Sequence, residues 1–141
     1  MEMFIFYILC VRLIVILFRL EIVISKKYTN ENQILLPRML EIYQPTEFDW
    51  MYTPITKGSV WTIHHIFEKH CGGNTTSDNA ALLLKKSHQL LNMLETRNLD
   101  LYFEWNQLFM DINVRKCPPS DNYVKEMKKL RKKTKESIYG R

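Results

Sequence analysis

The hydrophobic and polar positions divide the chain into an apolar start, a proline-punctuated stretch and a series of shorter segments. Residues 3–11 are an unbroken apolar run, Arg12 interrupts it, and residues 13–18 resume it. A membrane-spanning helix needs about 20 mostly apolar residues. Residues 3–24 nearly meet this requirement, so they are a candidate for membrane contact. In such a helix Arg12 would lie near the membrane centre, which costs a few kcal/mol.

Three interpretations of the apolar segment 1–25 therefore stay open: a membrane helix, a buried helix or strand, or residues translated from a start codon placed too far upstream. The segment lacks the positive amino-terminal region and the small-residue cleavage site of a standard signal peptide. If it spans a membrane, Lys26 and Lys27 after it and Glu2 before it predict a membrane anchor with the rest of the chain in the cytoplasm.

Residues 26–56 have the pattern of a connector. Three prolines punctuate it, and the stretch ILLPRMLEIY, residues 34–43, predicts a short helix. Four aromatic or apolar residues near its end are expected to pack against the elements that follow: Phe48, Trp50, Met51 and Tyr52.

Residues 57–116 show the clearest succession of elements and form the predicted functional domain. SVWTIHHIFE, residues 59–68, is rich in β-branched and aromatic residues and predicts a strand. The polar, glycine-containing residues 72–78 predict a loop. ALLLK, residues 81–85, predicts a second strand or the start of a helix, and Ser87 is a candidate N-cap.

The rest of the pattern is helical. Residues 88–112 carry apolar positions at roughly helical spacing, which predicts one or two helices with a break near residues 98–100. Two prolines at 118–119 end this region. Residues 123–138 then predict a polar, basic helix inside a tail that covers 117–141. The predicted fold class is α+β, with additional C-terminal helices.

Charge and cysteine content narrow the class of protein. The net charge is +5, and the last seventeen residues hold eight Lys or Arg against two Glu. This tail is either a solvated end or a phosphate-binding arm. The three cysteines form no CxxC pair, which disfavours a disulfide framework and a four-cysteine zinc ribbon and fits a reducing, intracellular compartment.

All four histidines lie between Trp61 and Asn92. His64 and His65 are adjacent on the predicted first strand, so their side chains point to opposite faces and serve different purposes. His88 and Asn92 are four residues apart on the predicted helix and share a face. Two groups from a helix and one from a strand can hold a metal ion with positions left open for water and substrate, which is typical of a catalytic metal site.

Residues 60–92 resemble the HNH nucleases, the ββα-metal or His-Me finger endonucleases. The family signature is a histidine pair between hydrophobic residues, a glycine pair, an Asn, an apolar run and a helical His. The matching residues here are Ile63-His64-His65-Ile66, Gly72-Gly73, Asn79, Leu82-Leu83-Leu84 and His88. Thirteen residues separate His65 from Asn79 and eight separate Asn79 from His88, and both gaps suit the family. The resemblance covers about a quarter of the chain and implies a small ββα-metal core.

The resemblance also implies a role for each matching residue. His65 corresponds to the general base that activates water against the scissile phosphate. His64, His88 and Asn92 correspond to the ligands of one divalent metal ion. Asn79 corresponds to the Asn that ties the loop and so orients the base. Mg²⁺ is the expected ion, with Mn²⁺, Ni²⁺ and Zn²⁺ as alternatives.

Two departures from the family pattern accompany the match. Phe67 and Glu68 stand where many members have a proline, and the CxxC pairs of a structural zinc are absent. Without that zinc, the fold is expected to depend on its own core, with help from three tryptophans: Trp50, Trp61 and Trp105.

The implied function is hydrolysis of DNA phosphodiester bonds by a metal-dependent endonuclease. Six cations are the candidate nucleic-acid contacts: Lys85, Lys86, Lys128, Lys129, Arg131 and Lys132. No base-reading module is visible, so strong specificity would need a protein partner or a homo-oligomer. The alternatives are the same nuclease fold acting on RNA, or a small non-catalytic, membrane-attached protein with a structural metal site.

Overall fold

The computed structural model describes residues 32–115 and 121–140. This part of the chain holds a two-stranded antiparallel sheet and four helices, so the α+β prediction is confirmed. The strands are β1 (Trp61–His65) and β2 (Ala80–Leu84). The helices are α1 (32–43), α2 (Lys85–Arg97), α3 (Leu99–Arg115) and α4 (Asp121–Tyr139).

The two strands pair in register from Trp61 opposite Leu84 to His65 opposite Ala80. Every residue of β2 is buried, because the sheet is covered on both faces. Two single-turn 3₁₀ helices, Lys69–Cys71 and Ser77–Asn79, shape the loop between the strands. The second predicted strand is therefore a strand and not a helix start.

Helix α2 begins directly after β2, earlier than the candidate N-cap at Ser87 implied. That N-cap prediction is wrong, because Leu84 caps the helix and Ser87 lies buried within its first turn. The Ser87 hydroxyl is 2.7 Å from Thr53 Oγ1. A side chain from outside the helix contributes to the cap: Asp49 Oδ2 accepts a hydrogen bond of 2.8 Å from the amide of Leu84, the N-cap residue.

The helical region breaks where the sequence predicted. Asn98 separates α2 from α3, and its side-chain Oδ1 accepts a hydrogen bond from the amide of Leu101. Helix α4 confirms the basic helix expected in the tail. Its apolar face buries Met127 and Leu130, while Thr134 Oγ1 accepts a 2.9 Å hydrogen bond from the indole of Trp105.

One hydrophobic core lies between the sheet and the helices, within the unit formed by residues 34–141. Trp50 and Trp105 are buried in it and Trp61 is half-buried. The stretch that had the pattern of a connector supplies core side chains of its own, including Met39 and Tyr43. The core is therefore built by hydrophobic burial of segments that are far apart in sequence.

The apolar segment 1–25 lies outside the described residues, and its three interpretations stay predictions. Within 32–115 and 121–140, no helix combines the length and hydrophobicity that a membrane crossing requires.

Candidate functional site

The two adjacent histidines of β1 face different surroundings, as strand alternation requires. His64 is 3% exposed and points toward α3. His65 is half-buried, and its Nε2 lies 3.3 Å from Thr75 Oγ1 in the loop between the strands. One strand thus separates a buried imidazole from one that borders the loop.

A chain of hydrogen bonds that begins on helix α3 holds the His64 side chain. His64 Nε2 is 2.8 Å from Asn106 Oδ1 on α3. Asn106 in turn hydrogen-bonds the hydroxyl of Tyr102, which donates to Glu68 Oε1 at 2.6 Å. Burial raises the pKa of Tyr102, its bond to Glu68 raises it further, and the bond from Asn106 lowers it.

The direction of this chain fixes the tautomer of His64. An amide oxygen carries no hydrogen and can only accept a hydrogen bond. The Asn106 carbonyl oxygen faces His64 and therefore accepts a hydrogen bond from Nε2. In the neutral ring the lone pair is then on Nδ1.

His88, on the first turns of α2, is fixed in the opposite sense. Its Nδ1 lies 3.1 Å from Thr62 Oγ1. The Thr62 hydroxyl donates its only proton to the carbonyl of Leu83 at 3.1 Å, so it must accept from His88 Nδ1. The lone pair of neutral His88 is therefore on Nε2.

The two fixed rings meet edge to face. The centroids of His64 and His88 are 5.5 Å apart, with an interplanar angle of 80°. Burial lowers the pKa of His64 to about 4, and the nearby His88 lowers it too, while the bond to Asn106 raises it. Burial also lowers the pKa of His88. Both rings are therefore neutral near pH 7, the state in which imidazole binds a metal ion.

The third proposed ligand stands apart from this pair in its surroundings. Asn92 lies one helical turn after His88 and is exposed. Its side chain makes no hydrogen bond to any described residue. Among residues 32–115 and 121–140, no three side chains of His, Cys, Asp or Glu come together as a metal cluster. The described residues therefore bring two imidazoles together here, and Asn92 lies one helical turn away from His88 on α2.

Asn79 closes the loop between the strands. Its Oδ1 accepts a 2.7 Å bond from the amide of Phe67, and its Nδ2 donates 2.9 Å bonds to the carbonyls of Phe67 and Asn74. These three bonds join both ends of the loop next to His65.

The glycine pair is needed for two separate reasons. Gly72 has φ +96°, a left-handed conformation that glycine adopts without strain. Gly73 is packed so closely that an added Cβ would lie 1.8 Å from the carbonyl oxygen of Phe67. The first glycine therefore turns the chain, and the second lets the loop fold against residues 67–68.

The predicted phosphate-contacting cations do not all lie together. Lys85 and Lys86 are exposed at the start of α2 and line one cleft with Arg131 of α4. Lys128 and Lys132 line an adjoining depression that shares Arg131. Lys129 lies outside both and pairs with Glu126 at 3.3 Å.

Sequence reasoning missed four polar residues that contact the histidines or continue their hydrogen-bond chain: Thr62, Thr75, Tyr102 and Asn106. The first lies two residues before His64 on the same strand face, which is a usable signal. The others come from a loop and from α3, where nothing local marks them.

Comparisons with protein-family models, with curated proteins and with solved structures found no match to this chain. The HNH resemblance therefore depends on the motif residues and their geometry alone.

Proposed function

We propose that this protein is a metal-dependent endonuclease of the HNH type that hydrolyses phosphodiester bonds of DNA, with His65 as the general base. The observation that carries the proposal is the arrangement around β1. His64 faces His88 at 5.5 Å between centroids on one side. His65 borders, on the other side, the loop that Asn79 closes. The order strand, glycine loop, strand, helix supports the proposed ββα-metal core.

The residues present fit one divalent ion. His64 Nδ1 and His88 Nε2 carry lone pairs, and each ring donates its other N–H to a fixed partner, as metal-ligating histidines do. Asn92 would add an amide oxygen, which leaves positions open for water and substrate oxygens. Mg²⁺ is the first ion to test, and Mn²⁺, Ni²⁺ and Zn²⁺ follow because imidazole suits transition metals. When bound, the ion would neutralise negative charge on the phosphate and on the leaving oxygen.

The chain's own residues perform the proton transfer. His65 removes a proton from a water molecule as the water oxygen forms a bond to phosphorus. The bond between phosphorus and the 3′ oxygen breaks, and that oxygen takes up a proton from solvent. The products are a 5′-phosphate and a 3′-hydroxyl. Thr75 holds the His65 ring, and Asn79 holds the loop to which Thr75 belongs.

A plasmid assay tests this function. Supercoiled DNA is incubated with the full chain and Mg²⁺ or Mn²⁺, with and without EDTA, beside His65→Ala. The matched control is His70→Ala, because His70 is an exposed loop histidine of the same region. We expect metal-dependent nicking by the wild type and by His70→Ala, and none by His65→Ala.

Two other outcomes decide between the alternatives. Cleavage of RNA in place of DNA would keep the chemistry and change the substrate. If folded protein cleaves neither with any of the four ions, the nuclease proposal fails. The non-catalytic, membrane-attached alternative then comes first, with segment 1–25 as the next part of the chain to test.

A further inference from the structure

A second surface of the molecule concentrates positive charge. A cleft of about 660 Å³ opens between residues 53–60, the start of α2 and helix α4. An adjoining depression of about 530 Å³ shares Pro54 and Arg131 with it. Together they form what we call the basic cleft, lined by seven cations: Lys57, Lys85, Lys86, Lys128, Arg131, Lys132 and Lys135.

Negative charge hardly offsets this concentration. Among the described residues that line the two depressions, Glu136 is the one acidic residue, and it lies 3.8 Å from Lys132. Both side chains of that pair are largely exposed, so their attraction is weak. The cleft therefore keeps a strong positive field.

Arg131 gives the cleft a fixed centre. Its guanidinium Nη1 donates a 3.1 Å bond to the carbonyl of Met51 and a second bond to the hydroxyl of Thr53. The surrounding lysines are exposed, whereas this cation is held by two hydrogen bonds. It lines both depressions and so joins them.

The cleft lies next to the start of the strand that carries the histidines. Val60 lines the cleft and directly precedes β1. Thr62 is about 7 Å further along the strand, and it holds His88. On helix α2, Gln89 lines the cleft and directly follows His88 in sequence.

We infer that the basic cleft binds the sugar-phosphate backbone of duplex DNA, without regard to sequence and without a metal ion. Exposed lysines neutralise phosphates as point charges and read no base. The choice of DNA among polyanions rests on the proposed nuclease function, since the cleft adjoins the start of the strand and the helix that carry its histidines. The binding itself does not require cleavage of the DNA, because it arises from the positive charge of the cleft.

A membrane surface fits the cleft less well. Basic helices that lie on membranes insert an apolar face between the lipids. The apolar face of α4 is buried in the core, with Met127 and Leu130 at 0% and 1% exposure. Val60 is the one exposed large hydrophobic residue that lines the cleft within the described part of the chain.

The chain offers a matched control on the same protein. Lys125 and Lys129 are exposed on α4 and line neither depression. Replacing them with Gln changes the net charge by the same two units as replacing Lys57 and Lys86 with Gln. Only the second pair removes charge from the cleft.

The experiment measures binding of a fluorescent 20-base-pair duplex by anisotropy, in EDTA and over a range of salt concentrations. The full chain is compared with Lys57→Gln/Lys86→Gln and with Lys125→Gln/Lys129→Gln. We expect the cleft variant to weaken binding about tenfold at low salt and to reduce the slope of log K against log salt by about two. The control pair should lower affinity less than threefold.

Each contrary result is informative. If both double variants lost the same DNA affinity, the net charge of the protein would explain the binding, and the cleft would have no special role. If the wild-type protein did not bind the duplex at low salt, the proposal that the cleft binds DNA would also be overturned. If the protein bound vesicles of one-third phosphatidylserine in preference to DNA, and the cleft variant lost that binding, the partner would be a membrane. Because the binding assay contains no metal ion, it tests the cleft separately from cleavage. Binding in this assay together with no nicking in the plasmid assay would sustain the cleft and count against the nuclease. Metal-dependent nicking by a wild type that does not bind through the cleft would do the reverse.

Discussion

The carbonyl oxygen of Asn106 lies 2.8 Å from Nε2 of His64, although forty-two positions separate them in sequence. The same side chain also hydrogen-bonds Tyr102. Asn106 thus selects which nitrogen of His64 carries the lone pair. Under the proposed function it is a positioning residue for a metal ligand, contributed by a helix outside the HNH motif.

Replacement of Asn106 by Leu should weaken metal binding. Without the acceptor, His64 is no longer held in one tautomer, and loss of such outer partners costs about 10- to 100-fold in metal affinity. Calorimetric titration with Mn²⁺ or Zn²⁺ measures this directly. The ¹⁵N shifts of the His64 ring in metal-free protein report the tautomer without any catalysis.

Asn113 supplies the control for that variant. It is a second buried asparagine on α3, and it bonds Tyr43 and the carbonyl of Ala80 without contacting a histidine. Asn113→Leu should lower stability and leave the His64 tautomer unchanged. Identical metal affinity in Asn106→Leu and wild type would remove the positioning role.

The two glycines of the loop should respond differently to alanine. Gly73→Ala places a Cβ 1.8 Å from the Phe67 carbonyl oxygen, so the backbone of the loop must move. Gly72→Ala meets open space and costs only the left-handed conformation, about 1 kcal/mol. We expect Gly73→Ala to reduce nicking at least tenfold more than Gly72→Ala, with thermal unfolding recorded for both. Equal effects would show that the tight contact of Gly73 is unimportant.

Asn79→Ala removes three hydrogen bonds from the loop beside His65. We expect a lower rate of DNA cleavage with partial retention, because the proposed base is still present but less firmly positioned. The rate of plasmid nicking at saturating metal measures it. Asn74→Ala is the comparison, since Asn74 contributes its backbone carbonyl and keeps it in the variant. A wild-type rate in Asn79→Ala would mean that the loop does not position the base.

Acid should destabilise the metal-free protein through His64. Its pKa is about 4 when folded and 6.5 in the reference state, so between these values the unfolded chain binds the extra proton. Stability is therefore lost as the pH falls, by about 1.4 kcal/mol per pH unit below 6.5 and about 2 kcal/mol by pH 5. Urea unfolding in EDTA at pH 7 and pH 5 measures the loss.

His64→Gln isolates that contribution. Glutamine can still donate to Asn106 and does not titrate, while the remaining carboxylates and His88 are common to both proteins. The variant should lose about 2 kcal/mol less than wild type between pH 7 and pH 5. If both proteins lose the same amount, His64 is not held neutral by burial.

Local pattern was enough to predict the elements of the candidate site. Alternation and β-branched residues predicted β1, the glycines predicted the loop, and helical spacing predicted α2 with the break at Asn98. These signals are local, because the spacing of apolar and polar residues within a single element is enough to indicate a strand or a helix.

The partners of the site come from contacts that no local pattern contains. Asn106 reads as an ordinary polar position on a packing helix until α3 docks against β1. Lys57 and Lys135 join the basic cleft only because residues 53–60 and α4 converge on Arg131. The prediction of Ser87 as the N-cap was wrong for the same reason. The hydrogen bond at the start of α2 goes from the Leu84 amide to Asp49, which lies thirty-five residues before Leu84 in the sequence.

The pairing of β1 with β2 also makes folding fidelity a condition of activity. A slip of one residue in this short hairpin would exchange the faces of His64 and His65. Small residues, Ala81 and Ala80, lie opposite them and offer little steric resistance to such a slip. Correct alignment then depends on the tie at Asn79 and on the bond from the Lys85 amide to the carbonyl of Val60. A preparation refolded in the slipped alignment would keep most of its secondary structure and be inert, so specific activity, and not helix content, would measure how much of it folded correctly.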